Sequence, residues 1–337
     1  MNFMDSYNSF REIIDQLEPG CKKLFVIPPY NPENKDGDYL YLLHKDTIES
    51  NNNPHIEPIG DWQYARFSWN AFKRIPTVMH CNWVEIKSFR EAGKILILWI
   101  NLIIYHKFGG KIIWTIHNKG PQSISMKWLN LLLQNWIAKN ADIIHVHCNR
   151  AIREMSDKLD VDPSRFVVLS HPKFPAYLMP RSAAIEALNQ RYGFTLQARN
   201  KIYLVFGNIG PHKRIIEIIE IFKQLSPNKK LMIIGPVKHG CLGYYRSVQK
   251  ASDQYHSRIF LLPKSIESII VPEIFNAADI CLFNYDEILT SGGVELARSY
   301  QKAIIAPDKG CLKELIDNPN VSLFQDENHL KQMLVNS

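Results

Sequence analysis

The sequence predicts an α/β protein built from two Rossmann-like, doubly wound parallel sheets facing a central cleft, and three observations carry that expectation. Short apolar runs alternate with amphipathic stretches through most of the chain, the rhythm of βαβ units. The rhythm runs twice, and the proline-rich passage His171 to Pro180 (HPKFPAYLMP) interrupts both periodicities between the two series. The chain has 337 residues, enough at about 150 per domain for two domains that each bury a core.

The elements follow in order. Ser9 to Leu17 reads as an amphipathic helix ahead of a first strand, Lys23 to Ile27. Asn31 to Asn53 is polar and predicts a long loop with no helix of clear extent. Further strands are expected at Thr77 to Cys81, Lys111 to Ile116, Asp142 to His147 and Arg165 to Leu169, with helical patterns between the later ones. The second series places strands at Lys201 to Phe206, Lys230 to Ile234, Arg258 to Leu262, Asp279 to Asn284 and Ala303 to Ala306. Helices are expected near Lys213 to Leu225, Ile266 to Ala277 and Gly292 to Tyr300. Strands this short and this apolar suit parallel sheets covered by helices on both faces. The expected domains are residues 1–178 and 179–318, with segment 319–337 returning to the first. Ligands of such a fold bind at the carboxyl ends of the strands, here in the cleft between domains.

Composition narrows the partners. At 46% hydrophobic and 22% charged residues, with 16 glycines and 19 prolines and no low-complexity bias, the chain is neither disordered nor fibrous. The net charge of +7 is spread over both halves, with no run of five basic residues. Nucleic acid is therefore not an expected partner, whereas an anionic substrate or an anionic membrane surface is. The six cysteines lie far apart without a C-x-x-C pair, and no signal-like segment is read at the start, so reduced thiols and a cytoplasmic location are expected. The most apolar stretch, Ile95 to Tyr105, falls far short of the roughly 20 residues that span a bilayer.

The strongest constellation is Glu287-Ile-Leu-Thr-Ser-Gly-Gly-Val-Glu295, two carboxylates straddling Ser291-Gly292-Gly293 at a helix start after an apolar strand. Gly292 and Gly293 would let backbone N–H groups approach an anion, while Glu295 would accept bonds from hydroxyls, an arrangement that suits a diphosphate and a ribose. The competing view is a capped surface helix with two solvated glutamates. The E-x7-E pattern after a strand, followed by helix, strand and Ala-Pro, resembles the donor-site signature of GT-B glycosyltransferases, above all the family 4-like group of bacterial polysaccharide and cell-envelope enzymes. Upstream, Phe206-Gly207-Asn208-Ile209-Gly210-Pro211-His212-Lys213 is similar to that group's G-R-x-x-x-x-K phosphate-binding segment. Asn208 stands where the family has arginine and Arg214 where it has glycine, so one phosphate-pairing charge must come from elsewhere, with Arg214 and His212 the candidates. Trp114-Thr115-Ile116-His117-Asn118 resembles the T-x-H-[DN] element whose histidine faces the donor sugar.

The resemblance implies a hexosyltransferase that moves a sugar from a UDP- or GDP-sugar to a hydroxyl of a glycan or lipid-linked acceptor, with retention and with neither metal nor cofactor. Residues 1–178 would form the acceptor side and 179–318 the nucleotide-sugar side. His117 and Glu287 would be catalytic, and Gly207, Asn208, Lys213, Arg214, Ser291, Gly292, Gly293 and Glu295 would bind the donor. Two alternatives stay open: an inactive GT-B scaffold subunit and a sugar-nucleotide epimerase of the same fold. Asp36-Gly37-Asp38 matches the D-x-D metal motif of GT-A enzymes but sits in a polar loop. Gly207-x-x-Gly210 lacks the G-x-G-x-x-G turn of a dinucleotide site. His145 and His147 share one strand face and would either bind a metal with Cys148 or His171 or simply end a strand. His80-Cys81-Asn82-Trp83 ends another strand, lining the acceptor side or packing. Lys87, Arg90 and Lys94 ahead of Ile95 to Tyr105, with Lys107 and Lys111 behind it, suggest peripheral contact of the first domain with the inner face of an anionic membrane. The competing view is a buried helix with solvated ends.

Overall fold

The computed structural model of the chain describes residues 7–50, 52–86, 89–120 and 126–337. It divides into two units, Met1–Pro172 and Lys173–Ser337, and the division falls inside the proline-rich passage.

In the first unit, α1 (Phe10–Leu17) precedes β1 (Lys23–Ile27), α2 (Tyr39–Leu43), α3 (Lys45–Glu49), β2 (His55–Pro58), α4 (Ala65–Phe72) and β3 (Thr77–Cys81). Then come α5 (Phe89–Lys107), β4 (Lys111–Thr115), α6 (Lys127–Asn140), β5 (Ile143–Val146), α7 (Asn149–Leu159) and β6 (Phe166–Val168). The strands form one parallel sheet in the order β2-β1-β3-β4-β5-β6. Ser9 starts α1 by accepting from the Glu12 amide, and Phe10, Ile13 and Ile14 bury one stripe at helical spacing. The polar segment 31–53, expected as a loop, contains α2 and α3. Asp38 caps α2 by accepting from the Tyr41 amide. Edge strand β2 went unpredicted because its sequence, HIEP, is short and ends in a proline that only an edge accommodates.

The second unit runs α8 (Arg181–Tyr192), β7 (Lys201–Phe206), α9 (Ile215–Phe222), β8 (Lys229–Ile234), α10 (Leu242–Ser252), β9 (Ile259–Leu262) and α11 (Val271–Ala277). It continues through β10 (Ile280–Leu282), α12 (Gly292–Ser299), β11 (Ala303–Pro307), β12 (Val321–Phe324) and α13 (Glu327–Asn336). Its parallel sheet has the order β12-β11-β10-β7-β8-β9. The two-residue strand period sorts its side chains into two cores. Ile202, Leu204, Met232 and Ile234 pack against α8, α11 and α12, while Tyr203, Val205, Leu231 and Ile233 pack against α9, α10 and α13. This explains why the strands read as unbroken apolar runs. Residues 319–337, expected as a separate returning segment, instead supply β12 and α13, whose Leu330 and Leu334 are buried in the second unit's core. Helix α9 starts at Ile215 and not at Lys213, because Pro211–Lys213 is a 3-10 turn and Arg214 has φ of +45°.

Among the described residues no helix is long and apolar enough to cross a membrane. Cys21, Cys81, Cys241 and Cys281 are free thiols, and Cys148 and Cys311 are not among them, which narrows the expectation of six reduced cysteines to four.

Candidate functional site

The second sheet reverses its order between β7 and β10, and the carboxyl ends of strands at such a switch point are where α/β folds hold ligands. Both sequence-predicted donor segments leave from these two strands. After β7, Gly207 takes φ of +91°, and a Cβ there would meet Lys213 Nζ at 3.0 Å. Gly235, at the end of β8, is the closer constraint: a Cβ on it would lie 2.4 Å from Gly207 O, so only glycine fits. The loop is zipped onto the next connection by Ile209 N to Pro236 O at 2.8 Å and Lys238 N to Ile209 O at 2.9 Å.

Lys213 is buried, and its ammonium donates to the Phe206 carbonyl at the end of β7. Burial pushes it down to about 7. Such a lysine, short of counter-charge, is poised to take up an anion and a proton together. His212 is lowered to about 4 by burial, then by Lys238 and Lys213, and its Nδ1 is buried without a partner. Asn208 is exposed. Arg214 bonds Glu217 at 3.0 Å and Glu327 at 3.1 Å, with its guanidinium held above the usual range chiefly by Glu217. Its charge is thus already shared by two carboxylates.

After β10, the segment leading to α12 is pinned by Asp286 N to His212 O at 2.9 Å, by Lys309 Nζ to Asp286 O at 2.6 Å and by Cys311 N to Leu289 O at 2.8 Å. Glu287 is exposed on this segment. Ser291 caps α12, accepting from the Val294 amide at 3.3 Å, and its hydroxyl meets the buried Tyr285 hydroxyl at 2.9 Å. Gly292 and Gly293 form the first turn, as the motif requires. Glu295 lies in the same turn with its side chain 17% exposed and paired to Arg298 at 2.7 Å. The anchors Gly235, Tyr285 and Lys309 were not singled out in the sequence, because a lone glycine, tyrosine or lysine carries no local signal.

The first unit gathers a different chemistry at its strand ends. His80 ends β3, His117 follows β4, and His145 and His147 end β5; all four are buried. His117 Nε2 lies 3.0 Å from Asn82 Oδ1, and its ring stacks on Trp83 with centroids 4.1 Å apart. Burial, more than neighbouring imidazoles, drives these rings below the ordinary histidine range: His145 to about 4, and His80, His117 and His147 well below 6.5. They are therefore neutral at physiological pH. A small pocket of about 40 Å³ is lined by Trp83, Glu85, Trp114, Thr115 and His117 among others. Among the described residues no group of histidines, cysteines and carboxylates is placed to hold a metal, and His145 and His147 both bond Leu169 O instead. Asp38 of the D-x-D sequence is spent on the Asn31 and Tyr41 amides.

The chain matches no protein-family model and no curated protein sequence. Solved structures do match it. HepE of Anabaena in complex with UDP and glucose superposes with a TM-score of 0.67 at 14% identity, covering 93% of this chain and 89% of that one. The chain shares the GT-B fold. The sucrose-phosphate synthase of Thermosynechococcus elongatus (TM-score 0.59, 16% identity) covers 96% of this chain and 82% of its own. The catalytic domain of starch synthase IV from Arabidopsis thaliana, bound to ADP and acarbose, has a TM-score of 0.59 at 15% identity, with 82% and 70% covered. At such identities the likeness concerns the fold, and the chemistry has to be read from this chain's own residues.

Proposed function

We propose that the protein is a glycosyltransferase that moves a hexosyl group from a UDP- or GDP-sugar to a hydroxyl of a glycan or lipid-linked acceptor, without a metal and with retention. The observation that carries this reading is the buried Lys213 ammonium at the β7–β10 switch point, beside Gly207 and below its ordinary pKa. Glycosyl transfer builds negative charge on the departing diphosphate, and a positioned cation in a dry site stabilises that charge more in the transition state than in the ground state. The Gly292 and Gly293 amides at the start of α12 add the helix's positive end. Glu295 would exchange its bond to Arg298 for the ribose hydroxyls. Glu287 and His117 would orient the sugar, His117 as a neutral hydrogen-bonding group. Asn208 and Arg214 complete the proposed donor set, although Arg214 must first loosen its hold on Glu217 and Glu327. Retention follows from the family resemblance. Glu85, lining the same pocket as His117, is the carboxylate that an inverting mechanism would use as base.

The neighbours support the donor class, since the HepE and starch synthase complexes contain UDP and ADP respectively. Product analysis with radiolabelled UDP- and GDP-sugars, run in EDTA with a cell-envelope lipid and glycan extract as acceptor, tests the reading. Labelled glycan or glycolipid is the expected outcome. An isomerised nucleotide sugar would replace the reading with an epimerase, absence of turnover would replace it with a scaffold, and transfer only after adding Mn²⁺ would remove metal independence.

Peripheral membrane contact belongs to the same proposal, on altered grounds. Of the expected basic cluster, Lys87 and the Arg90 side chain lie outside the described residues, while Lys94 pairs with Asp61 and Lys111 with Asp142. The better support is apolar: α5 exposes Leu96, Ile97, Ile100 and Ile104, and α4 adds Trp69 and Phe72, the latter against Phe108 at 5.3 Å. Lys73 sits 5.0 Å over the Trp69 ring, a cation beside an interfacial aromatic. Liposome flotation should show binding to anionic vesicles that Trp69→Ala together with Ile100→Ser abolishes; equal binding by that folded double variant would end this part of the proposal.

A further inference from the structure

The buried histidines of the first unit form one hydrogen-bonded chain whose direction is set at a single backbone carbonyl. Leu169 O lies 3.0 Å from His145 Nε2 and 3.1 Å from His147 Nδ1. A carbonyl only accepts, so both nitrogens carry hydrogen. Both rings are neutral, so their other nitrogens, His145 Nδ1 and His147 Nε2, are bare. The Tyr39 hydroxyl donates to His147 Nε2 across 3.0 Å, and the Thr115 hydroxyl donates to His145 Nδ1 across 2.8 Å. Thr115 has one proton, now spent, so its oxygen accepts from His80 Nε2 at 2.6 Å. His80 Nδ1 is then bare and accepts from His44 Nε2 at 2.8 Å. The chain ends on His44 Nδ1, which is buried without a partner. In this direction the orphan is a lone pair and not an N–H, the rarer and costlier thing to strand.

Asn82 joins the chain to His117. Its Nδ2 lies 3.2 Å from His80 Nε2 and its Oδ1 lies 3.0 Å from His117 Nε2. With hydrogen on His80 Nε2, two donors would face each other. Half a turn of the amide exchanges two groups of nearly equal size and turns that opposition into the longer arm of a three-centre bond, the His80 Nε2–H being shared between Thr115 and the Asn82 oxygen. We infer that Asn82 holds its oxygen toward His80 and its NH2 toward His117, so that His117 Nε2 is bare and its proton sits on Nδ1. Asn82 and Thr115 are thereby positioning residues, fixing the tautomer of a ring that Thr115 does not itself bond. Trp83, stacked on the ring, holds its plane. His117 then offers its surroundings an N–H donor and no base. Toward the proposed substrate, that donor suits a sugar or phosphate oxygen. This last step rests on the glycosyltransferase reading; the tautomer does not.

Long-range ¹H–¹⁵N correlation spectra of the whole protein labelled with ¹⁵N-histidine, recorded at neutral pH and assigned with a His117→Gln variant, read each tautomer directly. The expected pattern is Nδ1–H for His117 and His147, and Nε2–H for His80 and His145. Asn82→Ala, which removes the amide that ties His117 to the chain, should turn His117 to the Nε2–H form that an unconstrained imidazole favours, while His80 and His145 keep Nε2–H because Thr115 and Leu169 still accept from them. An Nε2–H His117 in the unaltered protein would overturn the inference, and so would an unchanged His117 in folded Asn82→Ala. If Asn82→Ala does not fold, the spectrum of the unaltered protein still decides. Because these readouts need no substrate, their failure and a failure of the transfer assay are separate events.

Discussion

The two units build their strand ends from the same topology and opposite chemistry. In each, a parallel sheet doubles back around its first strand, which lies between β2 and β3 in the first unit and between β10 and β8 in the second. The first unit fills the carboxyl ends of β3, β4 and β5 with imidazoles, and the second places the buried Lys213 ammonium and several glycines beside β7 and β10. Burial acts alike on both kinds of base, lowering the pKa, but from different starting points. Histidines that begin at 6.5 lose their charge and become hydrogen-bonding groups, as at His145, whereas Lys213 begins at 10.5 and at about 7 is still about half protonated at neutral pH, ready to become fully cationic beside an anion. Of these two strand-end clusters, the histidines are uncharged and Lys213 is the group that can carry charge toward the proposed diphosphate.

Removing that cation should have the largest effect. Lys213→Ala is expected to lower kcat/KM for the nucleotide sugar by about 10²- to 10³-fold, the scale for losing one donor to a developing anion. Steady-state kinetics on the folded variant check it, and a loss of less than tenfold would make Lys213 a structural lysine. Next comes the first unit's response to acid. The unfolded chain binds protons below about 6.5, while buried His145 does so only near 4 and His44 near 3. Stability should hence be full above pH 6.5 and fall as pH drops toward 4, by roughly 3 kcal/mol from His145 alone. Urea midpoints between pH 7 and 4.5 read this, and a flat profile would show these histidines charged in the fold. A smaller effect is expected from Glu295→Ala, which deletes the proposed ribose acceptor: a loss of about tenfold to 150-fold in donor affinity, for a hydrogen bond worth roughly 1.5 to 3 kcal/mol. Calorimetry on the variant measures it, and unchanged affinity would leave Glu295 as merely the partner of Arg298.

How far these regions could be read from sequence differs in the same way. The central strands were legible because both faces are buried, so that after an opening lysine runs such as KIYLVF and KLFVI carry no charged residue. Of the four edge strands, β6 and β9 were legible as apolar runs, whereas β2 (HIEP) and β12 (VSLF) were not, because proline in one and an exposed serine in the other break the run. The donor loops were legible by spacing, because glycines and a capping serine must stand in fixed order around a helix start. What spacing could not show is where long side chains spend their charge, as with Arg214 on Glu217 and Glu327 or Glu295 on Arg298. Nor could it show that His44, His80, His117 and His145 meet in one network: they lie on different elements, and each looks locally like an isolated strand-end or loop histidine.

The most direct test of the account is calorimetric titration of UDP and GDP into the protein and into Lys213→Ala, at pH 7 and pH 8.5, in buffers of different ionisation enthalpy. A diphosphate bound beside Lys213 must raise its pKa from about 7, so binding takes up a proton and weakens as pH rises, by up to about tenfold per unit until the bound-state pKa is passed. The account predicts that one of the two nucleotides binds with proton uptake approaching one at pH 8.5, and that Lys213→Ala abolishes the uptake along with most of the affinity. Binding of neither nucleotide, or binding that the variant reproduces in strength and proton stoichiometry, would contradict it.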